Sequence, residues 1–532
     1  MQIYVCRTSA YSSITPNAAC RQQPPPISAT INLTQTMAHD HPTAHLIAEQ
    51  LGYDTAEQTH LANEWIPKLN EEQWKAFDEI VDAVNTKSGQ IFFLHGPGGT
   101  GMTYIYNTLC YFLRGQHKII ICVASSGIAA LLIIGGCTSH SCFKIPINID
   151  ELSTCQFSKN SDLAELIRLA ELIIWDEAPM QHQHIHEAVD HTFQDVRGSN
   201  KPFGGLSVVF GGDFQQILPV IVKGSRAQIV NACMQRSTLW QSMKVLHLTQ
   251  NMRLNVDDVQ ERDFAQWQID IGHGWHTNES DDASLPESFK CAENTVQSLI
   301  DTIYPGIGLL PHPDDHYFSQ STILSSCNND VDDLNHAILN HFPGDFQVFQ
   351  SADSIEDNEG HGEEGILMYP VEYLNSINFS GLPLAKLALK VGCPIMVLQN
   401  INPGDGVCNG SCGVLTRATP HVLEVRLLSG EHAGELIVIL QMGIIPNEMQ
   451  VPFKPKLIQF PVRLCFAMTI NKSQGQSVNH VGIDARSAIF THGQFYVAIS
   501  QVTSVHNIKI IWDDQLPNPV TKNIVYPEVL LD

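Results

Sequence analysis

The segment that most constrains the fold of this chain is the glycine-rich run from Gly96 to Thr103, GPGGTGMT. It follows an apolar run, Ile91 to Leu94, and precedes a stretch of helical character from Tyr104 to Leu113. A strand, a glycine loop and a helix in this order are the context of a phosphate-binding loop, whose backbone N–H groups surround phosphate oxygens. The pattern G-x-x-x-x-G-K-[ST] is met except at Met102, where lysine is expected. The segment therefore predicts a nucleotide site that lacks one cation.

A second apolar run, Leu172 to Trp175, ends in Asp176 and Glu177. Such a pair suits a magnesium-dependent ATPase, because one carboxylate can hold the metal shell while its neighbour orients or deprotonates the attacking water. The hydroxyl of Thr103 would contact the same ion. We therefore expect Mg²⁺ as the cofactor and ATP as the substrate.

Two further apolar runs end in polar residues. The first leads into Asp213 and Gln215, which could sense a terminal phosphate, and the second leads into Arg253. Polar groups at the carboxyl ends of successive apolar strands indicate an open parallel sheet with one ligand-binding edge. We assign this α/β unit to residues 46–255.

The helix predicted upstream of the glycine loop begins after Asn70, and Trp74 and Phe77 recur on its apolar face. Gln73 stands three residues after Asn70, where it would complete a capping box. A glutamine just before such a loop could instead recognise an adenine edge, because its amide both donates and accepts hydrogen bonds. The sequence does not choose between the two.

Bulk composition limits the class of protein. The chain has 532 residues and a net charge of −25, which argues against non-specific binding to nucleic acid and requires any such contact to be local. The cysteines form no C-x-x-C pair, so we expect reduced thiols of an intracellular protein and no metal cluster. The 19 uncharged residues 119–137 approach membrane-span length, but they divide better into a buried strand, a turn and a helix, and we expect no membrane partner.

The pattern along the chain predicts the following divisions. Residues 1–45 form a flexible lead-in, and the unit 46–255 carries a small insertion near 138–165. A second α/β unit begins over 256–390, is interrupted by β-rich runs with turn residues over 391–455, and resumes over 456–515; residues 516–532 form a tail. The β-rich interruption predicts a small β-barrel-like insertion.

Taken together, the motifs are highly specific, and over residues 55–515 the chain resembles the petite-integration-frequency family of superfamily-one (type B) DNA helicases. It is most similar to the helicase part of Helitron transposons. The segments that carry the resemblance are Gln73, the loop 96–103, ASSGIAALL (124–132), WDEAPM (175–180), GGDFQQILPV (211–220), NMR (251–253), AMTINKSQGQS (467–477) and THGQFYVAIS (491–500).

The resemblance implies two RecA-like P-loop motor domains with parallel sheets, small accessory insertions, and 5′-to-3′ movement along single-stranded DNA. The residues that would contact the nucleotide are Gln73, Gly96, Pro97, Gly98, Gly99, Thr100, Gly101, Met102 and Thr103. Thr103 and Asp176 would bind Mg²⁺, and the catalytic set would be Glu177, Asp176, Gln215, Arg253 and the arginine-finger position Gln501. The DNA path would run along His140, Phe143, Lys472, Ser473, Gln474 and Gly475, although Phe143 could equally be a core residue.

The chain departs from the family where a cation is expected. Met102 replaces the loop lysine and Gln501 replaces the second arginine finger, while Gln399 and Cys412 also stand at usually basic positions. We therefore expect a DNA helicase acting on single strands and junctions, with impaired ATP hydrolysis. The family implies roles in DNA repair, recombination and telomere maintenance, or a transposon origin, and a nuclear or mitochondrial location. The alternatives are an inactive nucleotide- or DNA-binding remnant, or a P-loop ATPase that acts on protein.

Overall fold

A computed structural model of the chain describes residues 43–252, 258–310, 314–355, 377, 379, 381–402, 405–446, 455–476, 478–502, 504–515 and 519–531. Most of the predicted lead-in and the predicted arginine at position 253 lie outside the described residues. The α-helices of the described part are α1 Thr43–Leu51, α2 Thr55–Trp65, α3 Glu71–Asn85, α4 Met102–Arg114, α5 Gly127–Leu131, α6 Ser139–Phe143, α7 Asp162–Leu169, α8 Gln183–Arg197, α9 Arg226–Ala232, α10 Val259–His273, α11 Val296–Ile303, α12 Asp315–Gln320, α13 Asn328–His341, α14 Ile470–Ser473 and α15 Gln494–Ser500.

The strands of the described part alternate with these helices in the first half of the chain and cluster in the second half. They are β1 Ile91–His95, β2 Ile120–Ala124, β3 Cys137–Thr138, β4 Leu172–Asp176, β5 Ser207–Gly212, β6 Met243–His247, β7 Asp282–Ser284, β8 Ser321–Ser325, β9 Gln347–Gln350, β10 Ser354–Ile355, β11 Lys386–Leu389, β12 Pro394–Val397, β13 Cys412–Ala418, β14 Val422–Leu427, β15 Leu436–Leu440, β16 Met442–Ile444, β17 Pro455–Gln459, β18 Val462–Leu464, β19 Ala467–Thr469, β20 His480–Ala485, β21 Ile508–Trp512 and β22 Val520–Lys522.

The first sheet is parallel, with its described strands in the order β3-β2-β4-β5-β1-β6. Its central strands are apolar on both faces and almost wholly buried, as expected where helices cover both sides of a parallel sheet. Because the strands run the same way, the loops that follow β1, β4 and β5 meet at one edge. The predicted open parallel sheet is therefore confirmed, and the binding of a ligand at this edge stays a prediction.

Helix α3 shows how local sequence directs this packing. Asn70 caps it in a capping box with Gln73, and Phe77 and Ile80 are buried in the apolar cluster between α3, α4 and the sheet. Trp74 shares the predicted apolar face, yet its side chain is 46% exposed. Helical spacing therefore predicted the buried face of α3 correctly, except that it included Trp74.

The second parallel sheet has its described strands in the order β19-β8-β20-β21. Beside it, five strands in the order β15-β14-β13-β12-β18 form an antiparallel sheet, as the described residues show it. The polypeptide leaves the parallel sheet after β8, forms the antiparallel strands and returns at β19. The α/β class with two parallel sheets and an inserted β structure agrees with the sequence prediction.

The carboxyl-terminal segment, residues 519–531, contacts both halves of the molecule. Its strand β22 pairs with β7. Farther on, Arg226 Nη2 and Glu528 Oε2 form an ion pair at 2.7 Å, and Val529 is fully buried in the core of the first sheet. The sequence predicted only a tail here.

The uncharged residues 119–137 are divided as predicted, into β2, a turn and α5. Within the described ranges, no helix combines the length and the apolarity that crossing a membrane requires.

Candidate active site

The glycine loop connects β1 to α4 at the ligand edge of the first sheet. Gly99 and Gly101 have φ angles of +94° and +83°, which side chains other than glycine rarely adopt. A Cβ atom on Gly101 would also lie 2.5 Å from Gln73 Nε2. Inside the loop, Thr100 Oγ1 donates a hydrogen bond to the carbonyl of Pro97 over 2.9 Å. The loop is thus held in a curled conformation that exposes backbone N–H groups at the amino end of α4.

Gln73 performs the capping role that the sequence left open. Its Oε1 accepts from the backbone N–H of Asn70 at 3.0 Å, and its own backbone N–H donates to Asn70 Oδ1 at 2.8 Å. Its Nε2 then donates to the carbonyl of Thr100 at 3.0 Å. Gln73 therefore ties α3 to the glycine loop, and its predicted contact with adenine stays a prediction.

Met102 opens α4 at the position of the missing lysine. Its side chain is partly buried and packs against the apolar cluster around α3 and α4. A thioether donates no hydrogen bond and carries no charge, so this position contributes packing in place of an ammonium group. Thr103 follows it, partly buried, in the first turn of the same helix.

The carboxylates predicted from the sequence end β4 beside α4. Asp176 and Glu177 are each 6% exposed. Tyr106, one turn beyond Thr103, is fully buried near them, and burial, followed by the charges of Asp176 and Glu177, raises the pKa of its hydroxyl group. Burial raises the pKa of Asp176 to about 6. Burial and then the neighbouring charge of Asp176 raise the pKa of Glu177 to about 8. Burial of the two carboxyl groups disfavours their ionised forms, and a metal ion bound there would favour them.

The backbone around Glu177 is held in an unusual conformation. Its φ of +52° is left-handed, which is uncommon for a residue with a side chain. Ser125, in the loop after β2, donates from Oγ to the carbonyl of Glu177 at 2.5 Å, and its N–H bonds the carbonyl of Asp176 at 3.1 Å. Residues that hold such a conformation often belong to functional sites, because the surrounding structure must enforce it.

The second parallel sheet completes the site. Gln474, just after α14, donates from Nε2 to Glu177 Oε2 at 2.8 Å. Ser500, at the end of α15, approaches the glycine loop so closely that a Cβ atom on Gly98 would lie 3.5 Å from its Cβ. The candidate site is therefore a cleft whose walls come from both parallel sheets.

Gln215 lies at the same edge, after β5. Its Nε2 is 3.1 Å from Nδ1 of His273 at the end of α10. Gln215 and His273 line a cavity of about 270 Å³ together with Pro97 of the glycine loop. Asp213, buried beneath them, has its pKa raised by burial. Gln215 is thus placed between the loop and the helix that leads to the second half of the chain, and its role as a phosphate sensor stays a prediction.

Of the two positions predicted to supply arginine to the site, the structure describes only Gln501. Arg253 lies outside the described residues, but the preceding Met252 donates its N–H to the carbonyl of Gly99 at 2.9 Å. Gln501 is 4% exposed, and its Nε2 donates to the carbonyl of Val497 at 2.9 Å, on its own helix. In this conformation the Gln501 amide is hydrogen-bonded to its own helix.

The residues predicted to lie along DNA are near the cleft but are mostly engaged. His140 is partly buried, burial lowers its pKa, and its Nδ1 is 3.4 Å from Gln181 Nε2. Burial also lowers the pKa of Lys472. Ser473 is fully buried and donates to the carbonyl of Ile470 at 2.8 Å. Gly475, with φ of +85°, comes near Ala129 of α5, so the loop 472–475 packs on the first half of the molecule.

The prediction that Phe143 lies on the DNA path is wrong. Its side chain is fully buried and packs against Trp175 and Phe193, with ring centroids 5.5 Å and 5.3 Å away. Phe143 ends α6, and its ring points into the core, where Trp175 of β4 lies. The core alternative stated for this residue is therefore correct.

Sequence reasoning missed three parts of the site. Ser125 holds the backbone of Glu177 and Tyr106 is buried near both carboxyl groups, and their signal was their position, in the loop after a parallel strand and one turn into α4. Gln474 was assigned to DNA, although its contact is with Glu177. Contacts between distant segments leave no mark in local spacing, so only the fold could reveal this one.

Comparisons with known proteins agree with the family resemblance that the motifs indicated. The sequence model of the PIF1-like helicases matches residues 68–282, and that of the Pif1 2B domain matches residues 372–417. ATP-dependent DNA helicase PIF7 of Trypanosoma brucei brucei is 26% identical over 88% of the chain, and the match covers 48% of PIF7. ATP-dependent DNA helicase Pif1 of Campylobacter jejuni is 26% identical over 79% of the chain and 88% of the relative, and human PIF1 is 25% identical over 84% and 61%.

The chain thus spans about half the length of the trypanosomal relative and most of the bacterial one. Among solved structures, Pif1 of Candida albicans matches with a TM-score of 0.60 and 22% identity, covering 87% of this chain and 98% of that one. Bacteroides Pif1 bound to single-stranded DNA matches with a TM-score of 0.59 and 22% identity, covering 85% and 93%. The structural matches agree on the fold. The sequence matches show that the chain is similar to the PIF1-like helicases over residues 68–282 and to the Pif1 2B domain over residues 372–417.

Proposed function

We propose that this chain is an ATP-dependent DNA helicase motor whose hydrolysis of ATP is impaired. The observation that carries the proposal is the buried pair Asp176 and Glu177, which follows β4 at the same edge of the sheet as the glycine loop. Gln474, from the second half of the chain, contacts Glu177. A nucleotide in such a cleft would touch both halves of the molecule. Binding and release could then open and close the cleft, as a motor requires.

The donor set fits a magnesium nucleotide. The hydroxyl of Thr103 and the carboxylate of Asp176 are hard oxygen ligands of the kind that Mg²⁺ prefers, and the raised pKa of Asp176 is what an uncompensated carboxylate would show. When bound, Mg²⁺ would neutralise phosphate charge. Glu177 would take the proton from the attacking water, and Gln215 would contact the terminal phosphate.

The proposal that ATP hydrolysis is impaired rests on the residues at positions 102 and 501. An arginine finger contributes a factor of about 10³–10⁵ to the rate of phosphoryl transfer, and Gln501 has its amide engaged on its own helix. Loss of the lysine at Met102 removes a charge-assisted contact, at a cost of about 1.5–3 kcal/mol. Backbone N–H groups of the glycine loop would still hold the phosphates, so nucleotide binding should survive better than turnover.

Single-stranded DNA is the proposed track, with 5′-to-3′ movement and binding at junctions. The support is the family, in which Bacteroides Pif1 has been solved bound to single-stranded DNA, and the loop 472–475 beside the cleft. With a net charge of −25, the chain would need local contacts for this binding. Action in DNA repair, recombination or telomere maintenance, a transposon origin, and a nuclear or mitochondrial location are proposals that rest on the family resemblance.

The test joins two measurements. Fluorescence anisotropy with a labelled single strand should show salt-sensitive binding, and a fluorescent ATP analogue should bind in the presence of Mg²⁺. The double change Met102→Lys plus Gln501→Arg should then give DNA-stimulated ATP hydrolysis that the unmodified chain lacks. Absence of binding to both ligands would refute the proposal. Binding to both, with a double variant that stays silent, would support an inactive binding remnant instead of an impaired motor.

A further inference from the structure

The hydrogen bond between Gln474 and Glu177 joins the two halves of the molecule at the candidate catalytic carboxylate. Gln474 is 2% exposed and Glu177 is 6% exposed, and the bond from Nε2 to Oε2 measures 2.8 Å. The two residues lie almost three hundred positions apart in the chain, so the contact exists only when the two parallel sheets face each other. A buried bond to a carboxylate is worth more than an exposed one, because no water competes for the oxygen.

The backbone and the carboxylate of Glu177 are held by residues from different halves of the molecule. Ser125, in the first half, bonds the backbone carbonyl at 2.5 Å and supports the left-handed backbone. The carboxylate itself receives its hydrogen bond from Gln474, in the second half. A change in the distance between the halves would therefore leave the backbone in place and free the carboxylate.

Gln474 also retains an unused acceptor. Its Oε1 is buried and has no hydrogen-bond partner among the described residues. An amide that donates to Glu177 and still has an acceptor in the cleft can hold a water molecule next to the carboxylate.

Gln474 follows the last residue of α14, and Gly475 comes directly after it. Gly475 comes within 3.5 Å, measured from an added Cβ, of the backbone of Ala129 in α5. Because the loop is packed between α5 and the cleft, a shift of the loop along either surface would move the Gln474 amide relative to Glu177.

We propose that Gln474 is a positioning residue for Glu177, which holds the carboxylate in place only when the two halves of the motor are closed on each other. The inference rests on the proposed function, in which Glu177 accepts the proton of the attacking water. It assigns Gln474 to the reaction instead of to DNA contact, and it makes the closed cleft a condition for a correctly placed base.

The first test measures the rate of ATP hydrolysis in a chain that carries Met102→Lys and Gln501→Arg, because the unmodified chain is expected to hydrolyse ATP only at background. Gln474→Met has a similar length but no donor, and it should lower kcat roughly 10- to 150-fold, the loss expected for one charge-assisted hydrogen bond, while the KM for ATP stays the same. The matched control is Gln459→Met, which removes another fully buried amide, bonded to the carbonyl of Phe349. An equal kcat in the two variants, or a loss confined to KM, would refute the positioning role.

Carboxyl footprinting by carbodiimide coupling and mass spectrometry tests the contact in the otherwise unmodified chain, without turnover. Labelling of Glu177 should rise several-fold in Gln474→Met, stay low in Gln459→Met, and stay low in Gln474→Lys, which keeps an N–H donor. Labelling that is unchanged in Gln474→Met would overturn the inference. Because this readout needs no ATP hydrolysis, a silent Met102→Lys plus Gln501→Arg chain would refute the impaired-motor proposal while the footprint still decides the role of Gln474.

Discussion

The buried carboxyl group of Glu177 makes the stability of the protein depend on pH in a predictable direction. Burial and the charge of Asp176 raise the pKa of Glu177 from its ordinary value of 4.5 to about 8. Between these values the folded chain keeps a proton that the unfolded chain releases. Stability from this group is therefore complete below pH 4.5 and is lost as the pH rises through about 8.

Replacing Glu177 by Gln removes this loss, because glutamine resembles the protonated acid and never ionises. Each pKa unit corresponds to about 1.4 kcal/mol, so the difference between 4.5 and about 8 sets an upper bound of about 5 kcal/mol. The cleft can open to water as Glu177 ionises, so the measured gain should be smaller. We expect Glu177→Gln to match the unmodified chain at pH 5 and to exceed it by a few kcal/mol at pH 8.5.

The measurement is chemical denaturation followed by tryptophan fluorescence at a series of pH values, in buffer with EDTA because Mg²⁺ would favour the ionised carboxylate. The control is Glu151→Gln, at an exposed position, which should shift stability equally at every pH. A stability difference between Glu177→Gln and the unmodified chain that does not change from pH 5 to pH 8.5 would refute the assignment of a buried, proton-retaining carboxyl group.

Three further substitutions test other parts of the account. Phe143→Ala should lower the free energy of unfolding by about 3–5 kcal/mol, because the ring is fully buried. An unchanged free energy of unfolding in denaturant would show that the ring is not part of the core. Gly101→Ala should weaken binding of a fluorescent ATP analogue, because the φ of +83° and the nearby Gln73 leave no room for a methyl group; equal affinity would contradict the loop geometry. Val529→Ala should cost about 1–3 kcal/mol and speed proteolysis of the carboxyl-terminal segment, and equal protease resistance would show that the segment is not docked.

Residues that lie close together in the chain were predicted well. The glycine loop needs a strand before it and a helix after it, and β1 and α4 are found there. The pair Asp176 and Glu177 was predicted at the end of a buried strand for the same reason, because apolar periodicity and a polar terminus are local properties. Such patterns identified the first parallel sheet and its ligand edge.

Side-chain direction was predicted less well. Phe143 was assigned to the DNA path by the family resemblance and Trp74 to an apolar face by helical spacing, but Phe143 is fully buried in the core and Trp74 is 46% exposed. Spacing gives a face, whereas burial depends on what packs against that face. Gln501 illustrates the same limit, since its amide bonds its own helix.

Contacts across the fold could not be predicted at all. The bond from Gln474 to Glu177 and the docking of Val529 on the first core join segments that are far apart in the chain. Both depend on how the two halves are placed against each other, which no single segment encodes. The sequence therefore identified the parts of the cleft, and the structure revealed how they are joined.

The most direct test of the central claim is the rate of ATP hydrolysis by the unmodified chain with saturating single-stranded DNA and Mg²⁺, measured against Glu177→Gln. With Met102 in the glycine loop and Gln501 turned onto its own helix, the account predicts equal rates for the two proteins, both at background. DNA-stimulated hydrolysis by the unmodified chain that Glu177→Gln abolishes would contradict it, because the motor would then run without either cation.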